Sequence, residues 1–209
     1  TEGTVSRSLA TNLTSGSITH NRSMLFISHS QTYLSIPDTD GLDITNAITV
    51  GAWVKSRYAS GSYTAGESAG SRGILTKANA NGKFTLDAQL TGGTWCPRFH
   101  VNNAAALATG ATEIVDTNWH FLVGTYDKDA GGSDELKVYR DGILDGVANY
   151  STAIATSTGN LIIGHYYSTH YAWDGYIDEV SIWTGSLSAD SIYALYNHGN
   201  PTDLLQSWG

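Results

Sequence analysis

The stretch Ala47-Ile-Thr-Val-Gly-Ala-Trp-Val-Lys55 carries apolar side chains at its even positions Val50, Ala52 and Val54. That period of two is the pattern of a strand with one face turned to a core. The same pattern spreads outward along the chain. Leu136 and Val138 alternate with Lys137 and Tyr139, with Arg140 next in the apolar register. Period-two or short apolar runs predict strands over Ser23–Ser28, Thr32–Ile36, Ile48–Lys55, Gly73–Ala78, Lys83–Leu90, Pro97–Asn102, Trp119–Asp127, Glu135–Asp141, Asn160–His165 and Gly175–Trp183. Asp141-Gly142, Asn81-Gly82 and Gly131-Gly132 sit where hairpins need positive φ. Only Ser188–Gly199 reads as helix. It has a Ser N-cap, Asp190 in the first turn, Ile192, Leu195 and Tyr196 on one face, and Gly199 as its stop before Pro201. The predicted fold is all-β: two antiparallel sheets in a sandwich, with one short C-terminal helix packed against their end.

Composition excludes several functions. The 209 residues contain 11 Lys+Arg against 19 Asp+Glu, a formal net charge of -8. Nucleic-acid binding needs clustered cations, so it is not expected. Charged residues are only 14%, against about 25% in ordinary domains. Thr, Ser and Gly, at 24, 22 and 23 residues, make up a third of the chain, as suits strands joined by many turns. No apolar run is long enough for a membrane helix. The single cysteine, Cys96, permits no internal disulfide and reads as a small buried hydrophobe. Seven histidines show no metal-ligand spacing.

Read in order, Thr32-Tyr-Leu-Ser-Ile-Pro37, Ala47–Lys55, Gly73-Ile-Leu-Thr-Lys77, Asn118-Trp-His-Phe-Leu-Val-Gly-Thr-Tyr-Asp127, Leu136-Lys-Val-Tyr-Arg-Asp-Gly142, Leu161-Ile-Ile-Gly164, Gly175-Tyr-Ile-Asp-Glu-Val-Ser-Ile-Trp183 and Leu187-Ser-Ala-Asp-Ser-Ile192 resemble the laminin G-like and pentraxin-like domains of the concanavalin A-like lectin/glucanase superfamily. The resemblance covers roughly Ser23 to Asn197. It implies a jelly-roll sandwich, usually with calcium, that binds glycans or proteins. It also implies a module of a larger extracellular, cell-surface or phage structural protein. The domain is expected over 23–199, with 1–22 as its N-terminal extension. Leu204-Leu205-Gln-Ser-Trp208 resembles the first strand of a following unit, so 200–209 is expected to begin a linker or neighbouring module.

Two long polar loops hold the aromatic candidates for ligand binding: Tyr58 and Tyr63 in Ser56–Arg72, and Tyr167, His170, Tyr171 and Trp173 in Tyr166–Asp174. Rings of this kind stack on sugar faces while neighbouring polar groups bond the hydroxyls. Trp95, Arg98 and His100 form a second group, in which alternation places Arg98 and His100 on one strand face. Trp53 and Trp119 sit within strand patterns and are expected to pack. For metal, Asp178 shares a face with Val180 and Ile182 if its strand is regular. A core-facing carboxylate must be hydrogen-bonded or metal-bound. Calcium wants six to eight oxygens. The resemblance implies a calcium site near this strand, completed by carbonyls of the segment holding Ser28 and His29. Relatives commonly carry Asp-Gly there. Asp38-Thr-Asp40-Gly-Leu-Asp43 spaces carboxylates as calcium loops do, or forms a solvated turn.

Catalysis is not expected. A retaining glucanase needs two carboxylates about 5 Å apart, which on a strand means acids at alternate positions. Asp134-Glu135 and Asp178-Glu179 are adjacent pairs and would point to opposite faces. The sequence therefore predicts a non-catalytic, lectin-like module. A structural or protein-interaction module is the alternative, and the expected site of action is outside the cell or on a virion surface.

Overall fold

The computed structural model describes residues 6–7, 23–28, 32–59, 70–77, 83–102, 106–132, 134–166 and 171–200. Their strands are β1 (Ser6–Arg7), β2 (Met24–Phe26), β3 (Leu34–Ile36), β4 (Ala47–Ser56), β5 (Ser71–Lys77), β6 (Phe84–Thr91), β7 (Thr94–Val101), β8 (Ala106–Thr109), β9 (Trp119–Asp127), β10 (Leu136–Arg140), β11 (Ile143–Ala148), β12 (Leu161–Ile163) and β13 (Gly175–Thr184), followed by helix α1 (Ala189–Tyr196). They form two antiparallel sheets, ordered β1-β2-β13-β4-β9-β10-β11 and β3-β12-β5-β6-β7-β8. This is the expected sandwich. Three strands, β1, β8 and β11, lie outside the sequence-derived set because they are short or only partly buried.

The two sheets face each other across one apolar core. Val50, Ala52 and Val54 of β4, Leu122 of β9, and Leu136 and Val138 of β10 meet Phe84 and Leu86 of β6 and Phe99 and Val101 of β7. Each of the Val, Leu and Phe side chains contributes about 1.5–3 kcal/mol when fully buried. At Gly124 of β9 the sheets approach closely, since an added Cβ would lie 2.1 Å from the Phe99 ring.

The outer face of the seven-stranded sheet carries a second cluster: Trp53, Phe121, Val123 and Tyr139, closed by Ile192 of α1. Trp53 stacks on Phe121 at 5.3 Å and on Tyr196 at 5.8 Å. The helix thus covers a sheet face rather than the end of the sandwich. Ser188 caps it by accepting from the Ser191 amide. It ends at Asn197 in the left-handed conformation, φ 46°, two residues before the expected Gly199 stop.

Strand β13 is not regular. Asp178 pairs with Trp53 and Ser181 with Gly51, so one extra residue is inserted on β13. Glu179 takes φ 47° at this point. The bulge switches the parity of the strand. Ile177 before it and Val180 and Ile182 after it all pack on the core.

Candidate functional site

The outer face of the six-stranded sheet is polar, yet largely buried. Alternation on β6 turns Phe84, Leu86 and Ala88 inward and Thr85, Asp87 and Gln89 outward. On β7, Trp95, Phe99 and Val101 point inward, so Cys96, Arg98 and His100 face out. Register then sets Thr76, Thr85 and His100 in one row across β5, β6 and β7, and Asp87 opposite Arg98 in the next row. Arg98 Nε donates to Asp87 Oδ1 at 2.9 Å. Its terminal nitrogens donate to Asp87 Oδ2 and Gln89 Oε1, both at 2.5 Å, and to Ser71 Oγ. Burial opposes the Arg98 charge, but the Asp87 carboxylate outweighs burial and raises the guanidinium above its ordinary range.

The Thr76–Thr85–His100 row is under-satisfied. Thr76, Thr85 and His100 are fully buried. Among the described residues, Thr76 Oγ1, Thr85 Oγ1 and His100 Nδ1 have no hydrogen-bond partner. A buried polar group left unpaired costs about 1–3 kcal/mol, and here three are adjacent. Burial pushes His100 down to about 4, so the ring is neutral and offers one donor and one acceptor. Its Nε2 lies 3.4 Å from the Tyr166 hydroxyl.

Tyr166 and Tyr171 lie against this face. The Gly73 amide donates to the Tyr171 carbonyl at 2.9 Å, and Gly164 N to Ile74 O at 2.9 Å. Gly73 permits this, because a Cβ there would lie 2.3 Å from the Tyr166 amide nitrogen. Tyr171 meets Tyr166 edge-on at 6.1 Å. The Tyr171 ring also covers Gly70, where an added Cβ would lie 2.3 Å from Cε1. The two long polar loops therefore spring from touching bases. At their other ends, Arg57 N donates to the Asp174 carbonyl at 3.1 Å, and Tyr58 accepts at its hydroxyl from Arg57 at 2.9 Å.

The structure sorts the sequence-predicted ligand-binding residues. Arg98 and His100 share the outward face and Tyr171 borders it. Tyr58 stands half-buried at the base of its loop. Trp173 is removed from any stacking surface, because it is fully buried in the core. Trp95 faces the opposite way from Arg98, into the core, with the Arg72 guanidinium 5.2 Å above its ring. Tyr63, Tyr167, His170 and His29 lie outside the described residues. Thr76, Thr85, Asp87, Gln89 and Tyr166 were missed. The signal available was Thr85-x-Asp87-x-Gln89, a polar alternation on a strand whose other face is wholly apolar. A shallow pocket at the β10–β11 hairpin, lined by Thr112, Arg140, Asp141, Ile143, Leu144 and Asp145, is a weaker candidate. It has no ring in its lining, and its carboxylates already engage Thr112 and Arg140.

The expected calcium ligands do not form one cage. The bulge turns Asp178 to the side of Trp53, away from the core, and its Oδ1 accepts from the Glu179 amide at 3.0 Å. Ser28 is bound instead to Asp174, whose Oδ2 accepts from the Ser28 hydroxyl at 2.7 Å. Asp38 is neutralised by the buried Lys77 ammonium, which also donates to the Ser157 carbonyl at 2.9 Å and the Gly159 carbonyl at 2.5 Å. Asp40 is exposed. Among the described residues, no three His, Cys, Asp or Glu side chains are grouped to hold a metal. Asp174 Oδ1, buried beside Ser28, has no hydrogen-bond partner among the described residues, and the Arg57 guanidinium lies 3.4 Å from it.

Two antiparallel sheets packed face to face through one core define a jelly-roll sandwich. The laminin G family model described as "Concanavalin A-like lectin/glucanases superfamily" matches residues 28–193, and the chain belongs to that superfamily. No curated protein matches the chain. Among solved structures it is similar to domain 4 of AbnA, a GH43 extracellular arabinanase from Geobacillus stearothermophilus, in complex with arabinotriose. That match has a TM-score of 0.65 and 18% identity, over 93% of this chain and 82% of that one. It is also similar to the native heptameric SAP-like pentraxin from Limulus polyphemus, with a TM-score of 0.55 and 15% identity over 78% and 81% of the two chains. The binding domain of Paraclostridial Mosquitocidal Protein 1 matches with a TM-score of 0.69 and 10% identity, over 94% of this chain and 46% of that one. Identities this low speak for the fold.

Proposed function

We propose that this chain is a non-catalytic carbohydrate-binding module that acts outside the cell as part of a longer protein. The observation that carries the reading is the two half-buried rings at the bases of the long polar loops, Tyr171 over Gly70 and Tyr58 beside Arg57. Tyrosine rings supply the apolar surface on which a sugar face stacks. The arabinotriose-bound domain of the arabinanase supports the same reading. Tyr63, Tyr167 and His170 remain ligand-binding candidates from the sequence alone.

The non-catalytic part of the reading is supported by the engagement of the carboxylates. Asp87 is held by Arg98, Asp38 by Lys77, and Asp174 by Ser28. Glu135 accepts from the Tyr150 amide. None of these forms the spaced acid pair that glycoside hydrolysis uses. A glycan array tests the proposal. Binding to one polysaccharide class without release of reducing ends supports it. Absence of binding to every glycan leaves a structural or protein-interaction module as the better description.

A further inference from the structure

We infer that the carbohydrate site extends from Tyr171 to Tyr33 and His165 at the β3–β12 edge of the six-stranded sheet, and that its ligand is a glycan chain of two or more units rather than a single sugar. This rests on the carbohydrate-binding reading and names the substrate class of the same site.

Leu34 of β3 and Leu161 and Ile163 of β12 pack on the core. Tyr33, one residue before Leu34, therefore stands on the outward side of the sheet, in the parity of Ser35. His165 follows β12 directly, and its ring meets Tyr33 at 5.7 Å with the planes tilted by 49°. This pair belongs to the β3–β12 edge. Tyr171 belongs to β5, bonded through its carbonyl to Gly73 and covering Gly70 with its ring. A bridge between His165 and Ala172 and a 3.1 Å bond from the Tyr166 amide to the Tyr171 carbonyl tie the two groups together. Tyr33, His165 and Tyr171 are each half-buried, so each keeps surface for a ligand. Since β12 lies between β3 and β5, the two groups are separated by two strand spacings, about 10 Å. That span is wider than one sugar ring. A single sugar can touch one group or the other, whereas successive units of a chain reach both. The polar atoms at the edge suit hydroxyls. His165 Nδ1 donates to the Tyr166 carbonyl. Burial lowers the His165 pKa more than this bond raises it, so the ring is neutral and Nε2 is its acceptor. Among the described residues, neither this atom nor the Tyr33 hydroxyl is engaged elsewhere.

The experiment is titration of the chain with the mono- to tetrasaccharides of arabinose, xylose, mannose, galactose and glucose, followed by calorimetry. Tyr33→Ala and Tyr33→Phe are titrated alongside. At least one series is expected to bind, with affinity rising about 5- to 10-fold as the second ring group is reached. Tyr33→Ala removes the stacking face at the β3 edge. It should lower the affinity for the tetrasaccharide by about that same 5- to 10-fold and leave the shortest binding member unaffected, a split that a general loss of structure would not produce. Tyr33→Phe keeps the face and should bind the tetrasaccharide within about 2-fold of wild type. A series bound with one affinity at every length overturns the chain-ligand inference and leaves the carbohydrate reading standing. Wild-type affinity for the tetrasaccharide in Tyr33→Ala, or an equal loss at every length, overturns the extension to Tyr33. No sugar of any series bound by the wild-type chain overturns both readings.

Discussion

His120 shows how one side chain can tie two parts of the fold to pH. Its ring is buried, with Nε2 2.9 Å from Asp116 and Nδ1 2.9 Å from Asp141. Burial opposes protonation, but the hydrogen bonds to Asp141 and Asp116 prevail against both burial and nearby Arg140, and the pKa is raised. Asp116 is held down at about 2. Burial would raise it, but the Asn118 amides and His120 outweigh burial. A histidine that holds its proton more tightly when folded adds stability below its ordinary range, about pH 6.5, and loses it as pH rises through the folded value. The depressed Asp116 works at the other end, adding stability above the ordinary carboxylate range and losing it as pH falls toward about 2. The buried neutral His100, held down at about 4, costs stability as pH falls below about 6.5, so melting temperature should be highest near pH 6–7. It should decline on the alkaline side, and His120→Gln should flatten that decline. Parallel melting curves for the two proteins between pH 6 and 8.5 would show that the ring carries no such coupling.

At the same scale, Gly124→Ala tests the sheet-to-sheet contact. Its Cβ would overlap the Phe99 ring at 2.1 Å, and overpacking of this kind costs about 1–3 kcal/mol. Urea unfolding should show the loss with an unchanged m-value, and an undiminished midpoint would mean that the two sheets part easily here.

Elements held by polar contacts behave differently from those held by the core. The loops at Asp38–Asp43 and Ser157–Gly159 are drawn together by Lys77, whose side chain is only 1% exposed. Replacing it with Met leaves Asp38 and two carbonyls without their donor. About 3 kcal/mol of stability should be lost in urea unfolding. A loss under about 0.5 kcal/mol would place the ammonium among surface pairs, which contribute little. These elements also show where sequence reading succeeds. Strands β4, β9 and β10 were legible because Val50, Ala52, Val54, Leu136 and Val138 keep a strict period of two against one core. The facing of Asp178 was not legible, because a bulge depends on the backbone of Glu179 and leaves no pattern in residue type. Trp173 was misplaced because a tryptophan in a polar loop looks like a ligand platform, whereas here it turns back into the sandwich. Trp95 was misplaced because its odd position on β7 puts it on the core face, opposite Arg98 and His100. The outward face at Arg98 and His100 was half legible. Alternation placed these two, but pairing Thr85 with His100 and Asp87 with Arg98 requires the register between strands.

For the whole molecule, the question is whether an ion is needed to hold the sandwich together. Negative charge is in excess, at -8, which by itself would favour a bound cation. The carboxylates that could hold one are nonetheless supplied from within: Lys77 meets Asp38, Arg57 meets Asp174 at 3.4 Å, and Arg98 meets Asp87. Each is a cation tethered to the chain, and we propose that the sandwich holds without a free ion. A structural calcium present at 100 times its Kd would add about 2.7 kcal/mol. For a chain of this size that is a shift of roughly 5–10 °C in melting temperature. The expected result is a shift of less than about 2 °C between calcium-saturated and EDTA-treated protein. A drop of 5 °C or more on chelation, about what a saturated structural ion confers, would mean that a cage exists which the described carboxylates do not form.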